Sequence, residues 1–475
     1  MKRSGSRELR GAEFDVLILG GGINGAGVAR DLALRTHSSS TPMRILLVEQ
    51  NHFASGTSGK NSHLIHGGLR YLKNFEFHLV REALQERATL LTLAPHLVEP
   101  LRLLIPFYSY FDRLFYSAGI ALYSLLAGKH KVGSIAFLSP KKTAEMEPAI
   151  ERKGLRGGAV YYDCRVDSAR FVLENLQDAY GNGAVLANYM HAEAFTKLPD
   201  GWWDVVLLDR LSNERVTVRA RKIVDTMGAW SGEKDSLRLV RGSHIVIKRD
   251  DTNCHDEDSS IAFFGEDGRI VFLIPWGGAG RKVTMVGTTD VDHSAGPDHV
   301  AISDEEIAYL RNVVDRLFPK TDSKPVSAFS SLRPLVRDEA VSATKTSREH
   351  RIWNSEDGVL HVTGGKYTTY RVMSERAVDL IAHELVPPLE GLHLTALTPL
   401  VAPKRPDDST MIRFAVEQEM AQTLRDVMFV STYWGYERRW SRNDLRPFAT
   451  VVGERLGWSP ETVEQELDTI EVAEC

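Results

Sequence analysis

The chain has 475 residues, long enough for a large core and two or three domains, and its 43% hydrophobic and 25% charged content is that of a folded globular protein. A net charge of −5 gives no electrostatic footprint for nucleic acid, so no nucleic-acid partner is expected. Cys164, Cys254 and Cys475 are widely scattered, with neither metal-ligand spacing nor a disulfide framework, which points to no metal and to reduced thiols in a cytoplasmic protein.

The N-terminus carries Lys2, Arg3, Arg7 and Arg10 but no apolar stretch before the first strand, so no signal peptide is expected. Apolar residues from Val16 to Leu19 stop at Gly20 and give way to helical spacing through Val28, Leu32 and Leu34. That is a buried strand turning into a helix across Gly20-Gly21-Gly22-Ile23-Asn24-Gly25. Gly20 permits the turn, Gly22 lets the backbone approach a pyrophosphate, and Gly25 lets helix and strand pack closely. The phosphates would face the free amides and positive dipole of the helix N-terminus. A second strand, Ile45-Leu46-Leu47-Val48, ends in Glu49, a carboxylate placed to accept hydrogen bonds from a ribose. The polar stretch 36–44 accounts for the somewhat long spacing between Gly25 and Glu49.

Residues 53–62 are small and polar and lead into Leu64-Ile65-His66-Gly67-Gly68-Leu69-Arg70-Tyr71-Leu72, a segment able to wrap a cofactor through its backbone amides. A helix is expected over 77–93, stopped by Pro95. The uncharged run 114–128 is too short to span a bilayer; it reads as a buried helix, with a helix lying on a membrane surface as the sharper alternative. Mixed α/β patterning returns at 155–162 and 168–180. Strands at 202–209, 215–220 and 223–226 feed a glycine turn at Gly228, and alternating strands at 244–248, 270–275 and 283–288 predict an antiparallel sheet covering a site. Ser303 caps a helix over 304–317. At 360–371 the opening device recurs: a short strand, Gly364-Gly365, then a helix whose N-terminus would point at an anionic group. A linker over 399–408 precedes helices at 411–428, 443–456 and from Pro460 onward.

The motifs GGGINGAG (20–27), LIHGGLRYL (64–72), GSHIV (242–246), RIVFLIPW (269–276), VGTTD (286–290), LRPL (332–335) and GGKYTTYR (364–371) follow one another in a familiar order. In these the chain resembles the FAD-dependent glycerol-3-phosphate dehydrogenase family, part of the D-amino-acid-oxidase-like flavoprotein superfamily. The resemblance implies an α/β (α+β) architecture. A Rossmann-like FAD-binding domain (about 14–100, 155–235 and 340–385) would carry an antiparallel-sheet substrate domain (about 236–339) within residues 1–398. A small helical C-terminal domain would occupy 399–475. Three positions depart from the family pattern: His63 replaces a usual Lys, Met227 a usual Thr, and Phe429-Val430-Ser431 a usually basic stretch.

The resemblance also implies FAD as cofactor, held by Gly20, Gly22, Asn24, Gly25, Glu49, Thr57, Ser58, Ser62, Leu64, His66, Gly67, Gly228, Gly365, Lys366 and Thr368. Arginine suits phosphate because its planar fork matches two oxygens at once. Carried over from the family, Arg333, Arg70 with Tyr71, and Arg348 are the anion binders, and Thr289 is a substrate contact. His244, with an imidazole suited to base work near neutral pH, and Lys366 are the groups for the hydroxyl proton. The implied reaction is oxidation of glycerol 3-phosphate to dihydroxyacetone phosphate by hydride transfer to flavin, with electrons passed to a quinone. Quinone use would imply peripheral association with the inner face of the cytoplasmic membrane, with 101–128 as the contact region. Alternatives are an oxidase passing electrons to oxygen, a flavin enzyme acting on an amine or amino acid, and a non-catalytic flavoprotein subunit.

Overall fold

The computed structural model describes residues 1–37, 42–69, 72, 76–232, 236–250, 252–253, 256, 258–265, 268–277, 282–336, 350–385, 393–401 and 410–471. Arg70, Tyr71, Arg348, Cys254, Cys475 and most of the expected linker lie outside them.

Among the described residues the strands form an eight-stranded and a ten-stranded sheet. The first is built on the strand Glu13–Leu19, whose Val16, Leu17 and Ile18 are wholly buried. It pairs in parallel with Ile45–Val48 on one side and Glu214–Asp225 on the other, and the parallel run continues to Val185–Ala187 and to Leu360–Gly364. Near-continuous apolar strands are what a parallel sheet covered on both faces requires. The helices Ile23–His37, Ser168–Gly181 and Tyr370–Ala382 pack together, with residues of all three in the largest apolar cluster. The expected strands at 215–220 and 223–226 are one strand, Glu214–Asp225.

The second sheet is mainly antiparallel, with Leu237–Lys248 paired to Val283–Gly287 and Pro325–Val336, and Ile270–Trp276 beyond. The helix Asp304–Leu317 packs against it and starts at Ser303 with a complete capping box closed by Glu306.

The expected helix over 411–428 is broken. It runs as Met411–Glu419, stops where Met420 takes φ +65°, and resumes through a short turn into a wide-turned segment, Val427–Ser431. Tertiary anchoring explains the break: Met420 gives its carbonyl to Asn188 at 2.7 Å, and Glu419 pairs with Arg170 in the core. Arg442–Leu456 and Pro460–Glu471 follow, and these helices share an apolar core around Leu424, Leu445 and Leu467.

The Arg170–Glu419 pair is almost completely enclosed, and losing one partner leaves a bare charge in the interior. Glu419→Ala should therefore lower unfolding free energy by about 3–5 kcal/mol, whereas Glu419→Leu with Arg170→Met should recover most of it. Urea unfolding monitored by tryptophan fluorescence checks both; equal losses in the single and double variants would rule the explanation out.

Candidate active site

A cleft of about 560 Å³ runs between the two sheets and is walled by the glycine turn, the 54–62 segment, Gly228 and the turn at Gly364-Gly365. Gly20 has φ +104°, and a Cβ there would meet the Thr226 carbonyl at 2.8 Å; a Cβ on Gly25 would lie 1.9 Å from the Gly20 carbonyl. Gly25 thus serves helix–strand packing and does not line the cleft. Thr226, absent from the sequence reading, ties the turn from behind by donating to the carbonyls of Leu19 (2.8 Å) and Gly20 (3.1 Å). Its only sequence signal is its place at the end of a strand.

Two amides of the turn are committed to side chains: Gly21 N–H donates to Glu49 Oε2 at 2.7 Å and Ile23 N–H to Ser58 Oγ at 2.9 Å. Gly22 and Asn24 line the cleft, and among the described residues their amides have no acceptor. Glu49 also accepts from Asn51 N at 2.9 Å, and burial raises its pKa against these donors. With about four lone-pair sites, its carboxylate can take a ribose hydroxyl as well. Unpaired amides at a helix N-terminus, a carboxylate one strand away and a wall without bulky side chains fit a dinucleotide such as FAD.

Farther along, Thr57, Ser58, Ser62, Leu64, His66, Gly228, Gly365, Lys366 and Thr368 all border the same cleft. Thr368 Oγ1 accepts the His66 N–H at 3.0 Å and donates to the His66 carbonyl at 3.2 Å, fastening the two turns. Gly67 stands behind the wall: its N–H donates to Tyr123 Oη at 2.8 Å, and a Cβ would collide with that oxygen and with Leu84. A one-turn 3₁₀ segment, Tyr367–Thr369, separates Gly365 from the following helix, so no α-helix begins directly at the second glycine turn.

Arg333 and His244 open on the cleft from paired strands. The Arg333 guanidinium is held by Asp290 Oδ1 (2.9 Å), Thr288 Oγ1 (2.8 Å) and the Thr289 carbonyl (3.1 Å). The Thr289 side chain is fully buried and donates to Glu306 at 2.6 Å, so it does not border the cleft; Thr288 does. His244 bonds through Nε2 to Ser62 Oγ at 2.9 Å and stacks on Phe329 with centroids 4.8 Å apart. Its Nδ1 is buried and has no partner among the described residues. Burial first, then the positive Arg333 and the neighbouring His63, hold its pKa well below the usual value, so it is neutral at pH 7. Two glycines missed as site residues make the arrangement fit. A Cβ on Gly287 would sit 2.1 Å from His244 Cδ2, and one on Gly242 2.3 Å from an Arg333 nitrogen. Both were visible only as members of motifs.

A sequence profile of FAD dependent oxidoreductases matches residues 15–371. The chain belongs to that family. Among its relatives, the aerobic glycerol-3-phosphate dehydrogenase of Staphylococcus aureus (strain USA300) is 35% identical over 395 residues, spanning 80% of this chain and 69% of that protein. The FAD complex of the glycerol-3-phosphate dehydrogenase from Bacillus halodurans superposes with a TM-score of 0.73 at 25% identity, covering 98% of this chain and 96% of that one. Glycine oxidase from Geobacillus kaustophilus, at 18% identity, TM-score 0.60 and 82% and 99% coverage, shares the fold. The chain is thus an FAD-dependent oxidoreductase of the glycerol-3-phosphate dehydrogenase type.

His63, one of the departures from the family pattern, is buried behind His244. Its Nδ1 meets Ser168 Oγ at 2.7 Å and its ring lies against Trp276 and Tyr433. Burial pulls its pKa down to about 4, with Asp167 acting the other way. Between pH 6.5 and 4 the unfolded chain binds a proton here that the folded chain refuses, so stability falls with pH across that window, by roughly 3 kcal/mol at its acid end. His63→Asn should show a shallower loss than the parent in urea titrations at pH 7, 5.5 and 4.5; parallel curves would refute the assignment.

Proposed function

We propose that the protein oxidises sn-glycerol 3-phosphate to dihydroxyacetone phosphate and delivers the electrons to a membrane quinone. The observation that carries this reading is the placing of Arg333 and a neutral His244 on the same cleft as the dinucleotide-binding turn. Bound FAD supplies the two-electron acceptor for the hydride leaving carbon 2. The chain supplies position and charge. Gly22 and Asn24 amides receive the pyrophosphate, and Glu49 the ribose. Arg333, braced by Asp290 and Thr288, presents a guanidinium whose orientation is set before substrate arrives, as bidentate phosphate binding favours. His244 is the base for the hydroxyl proton through Nε2, whose hydrogen-bond partner Ser62 borders the cleft, and Lys366 stabilises negative charge that develops nearby. Arg70 with Tyr71 and Arg348, which lie outside the described residues, are the further anion binders that the family resemblance implies.

Quinone delivery is supported by the helix Tyr110–Ala127. Its Ser109 cap and buried Ile120 and Tyr123 dock it, while Phe111, Leu114 and Leu125 remain 72%, 75% and 74% exposed. Arg113, Lys129 and Lys131 flank this apolar stripe, the composition of a helix lying on an anionic lipid surface. No helix among the described residues is long and apolar enough to cross a membrane.

Anaerobic glycerol 3-phosphate should bleach the flavin absorbance of the purified protein, and a quinone should restore it; an unbleached flavin defeats the reading, and restoration by oxygen alone with stoichiometric peroxide would make it an oxidase. Arg333→Ala should lower kcat/KM about 10- to 100-fold, the loss of a charge-assisted phosphate contact. Gly242→Ala should lower it in the same direction, since the added Cβ would displace the Arg333 guanidinium from Asp290 and Thr288. Phe111→Ser with Leu125→Ser should abolish co-sedimentation with anionic vesicles without altering flavin bleaching; undiminished sedimentation would remove this helix from the proposal.

A further inference from the structure

A second cavity, of about 360 Å³, shares the 54–57 segment and Trp230 with the cofactor cleft, and its remaining wall includes Arg425 and Phe429 of the C-terminal helices. Lys60 opens on this cavity and does not border the cleft. Lys60 is half-buried, and its ammonium has no acceptor among the described residues. Burial, then the like charge of Arg425, pulls its pKa down to about 8, which still leaves it mainly cationic at pH 7. Arg425 lies over the Phe429 ring, 5.0 Å from its centroid, and has no carboxylate partner among the described residues.

The acidic groups of the wall are already engaged. Asp426 accepts Tyr189 Oη at 2.8 Å, Gln422 N at 2.8 Å and Thr423 N at 3.1 Å, and Asp298 accepts the Trp230 indole at 2.7 Å. Neither offsets the charge on Lys60. His52 stands behind the same wall. Asn188 Nδ2 donates to its Nδ1 at 3.0 Å and to the Met420 carbonyl at 2.7 Å, which fixes the amide orientation and leaves an Nε2–H. That N–H is buried without an acceptor among the described residues.

Lys60 and Arg425 face one cavity and their like charges oppose each other, while the two carboxylates of its wall are taken up by local donors. We propose that this cavity binds a small oxyanion of the phosphate class, held between Lys60 of the cofactor-wrapping segment and Arg425 of the C-terminal helices. The bound anion bridges parts of the chain that are otherwise joined across this cavity only by their walls. It does so on the segment that also lines the cofactor cleft, so its occupancy steadies that segment. The site is separate from the substrate position and does not depend on which alcohol is oxidised.

The test uses the full-length holoprotein with Arg333→Met, which removes the substrate-phosphate contact. Calorimetric titration with inorganic phosphate should show one binding event that weakens at least tenfold when Lys60→Met and Arg425→Met are added, and that persists with Lys60→Arg. A parallel measurement needs no substitution: acylation of Lys60 at pH 8, read by peptide mass spectrometry, should fall at least threefold in phosphate relative to chloride of equal ionic strength. Glycerol 2-phosphate is the second arm. Protection by phosphate identifies a free anion, and protection by the ester alone identifies a phosphomonoester; either supports the site. Absence of binding in the Arg333→Met protein, binding indifferent to Lys60 and Arg425, or Lys60 labelling unchanged by both compounds would overturn it.

Discussion

One threonine hydroxyl fastens together segments 302 residues apart, and the cleft is assembled around that clasp. Thr368 Oγ1 both accepts from and donates to the backbone of His66, which a hydroxyl can do because it carries one proton and two lone pairs. Each bond adds only about 1 kcal/mol net, but two backbone groups left unpaired in a closed interior would cost more. The clasp also sets geometry. It holds the Gly364–Lys366 turn against the 64–68 segment, so that both border one cleft. Gly67 behind this wall is pinned by Tyr123 and Asp163, and Arg87 in turn pairs with Asp163 at 2.5 Å. The wall is therefore fastened on its outer side.

Features governed by neighbours in sequence were legible before the fold was known. The glycine turn follows from an apolar strand meeting Gly20, and the helix Asp304–Leu317 from Ser303 and Glu306, whose reciprocal hydrogen bonds are a local matter. The strand that carries Arg333 was not legible. Pro325–Val336, with two prolines and three serines, is assigned no element from sequence; it is a strand because it lies on the edge beside Leu237–Lys248, where a proline's missing N–H costs no ladder bond. The break at Met420 was hidden for the same reason, since nothing local marks it and its causes, Asn188 and Arg170, are far off in the chain. The resemblance supplied Arg333 and His244 as candidates, but only strand register reveals that they share a cleft, and only backbone positions reveal why Gly242 and Gly287 must lack side chains.

Electrostatics in the site follow from this packing more than from any paired charge. His244 is surrounded by a phenyl ring, a serine hydroxyl, a guanidinium and a second imidazole, none of which stabilises a proton on it. His63, enclosed by Trp276, Tyr433 and Ser168, has its own pKa pulled down to about 4 by burial. A neutral imidazole is the state in which a histidine can take a proton, as the proposed reaction requires.

The C-terminal helices bear on that base through aromatic contact. Tyr436 packs on Phe329 with centroids 5.0 Å apart, and Phe329 stacks on His244 at an interplanar angle of 15°. Phe329, His244 and Gly287 are neighbours across three adjoining strands, so the imidazole is bounded by a ring on one side and by bare backbone on the other. Ser62 sets its remaining rotation through Nε2. Tyr436 is itself fixed by its carbonyl, which accepts from Ser327 Oγ at 2.7 Å on the same strand as Phe329. The loss of basic character at Phe429-Val430-Ser431 is then coherent with the structure: Phe429 lies edge-on to Tyr436, 4.9 Å between centroids, so this segment backs the aromatic column that positions the base.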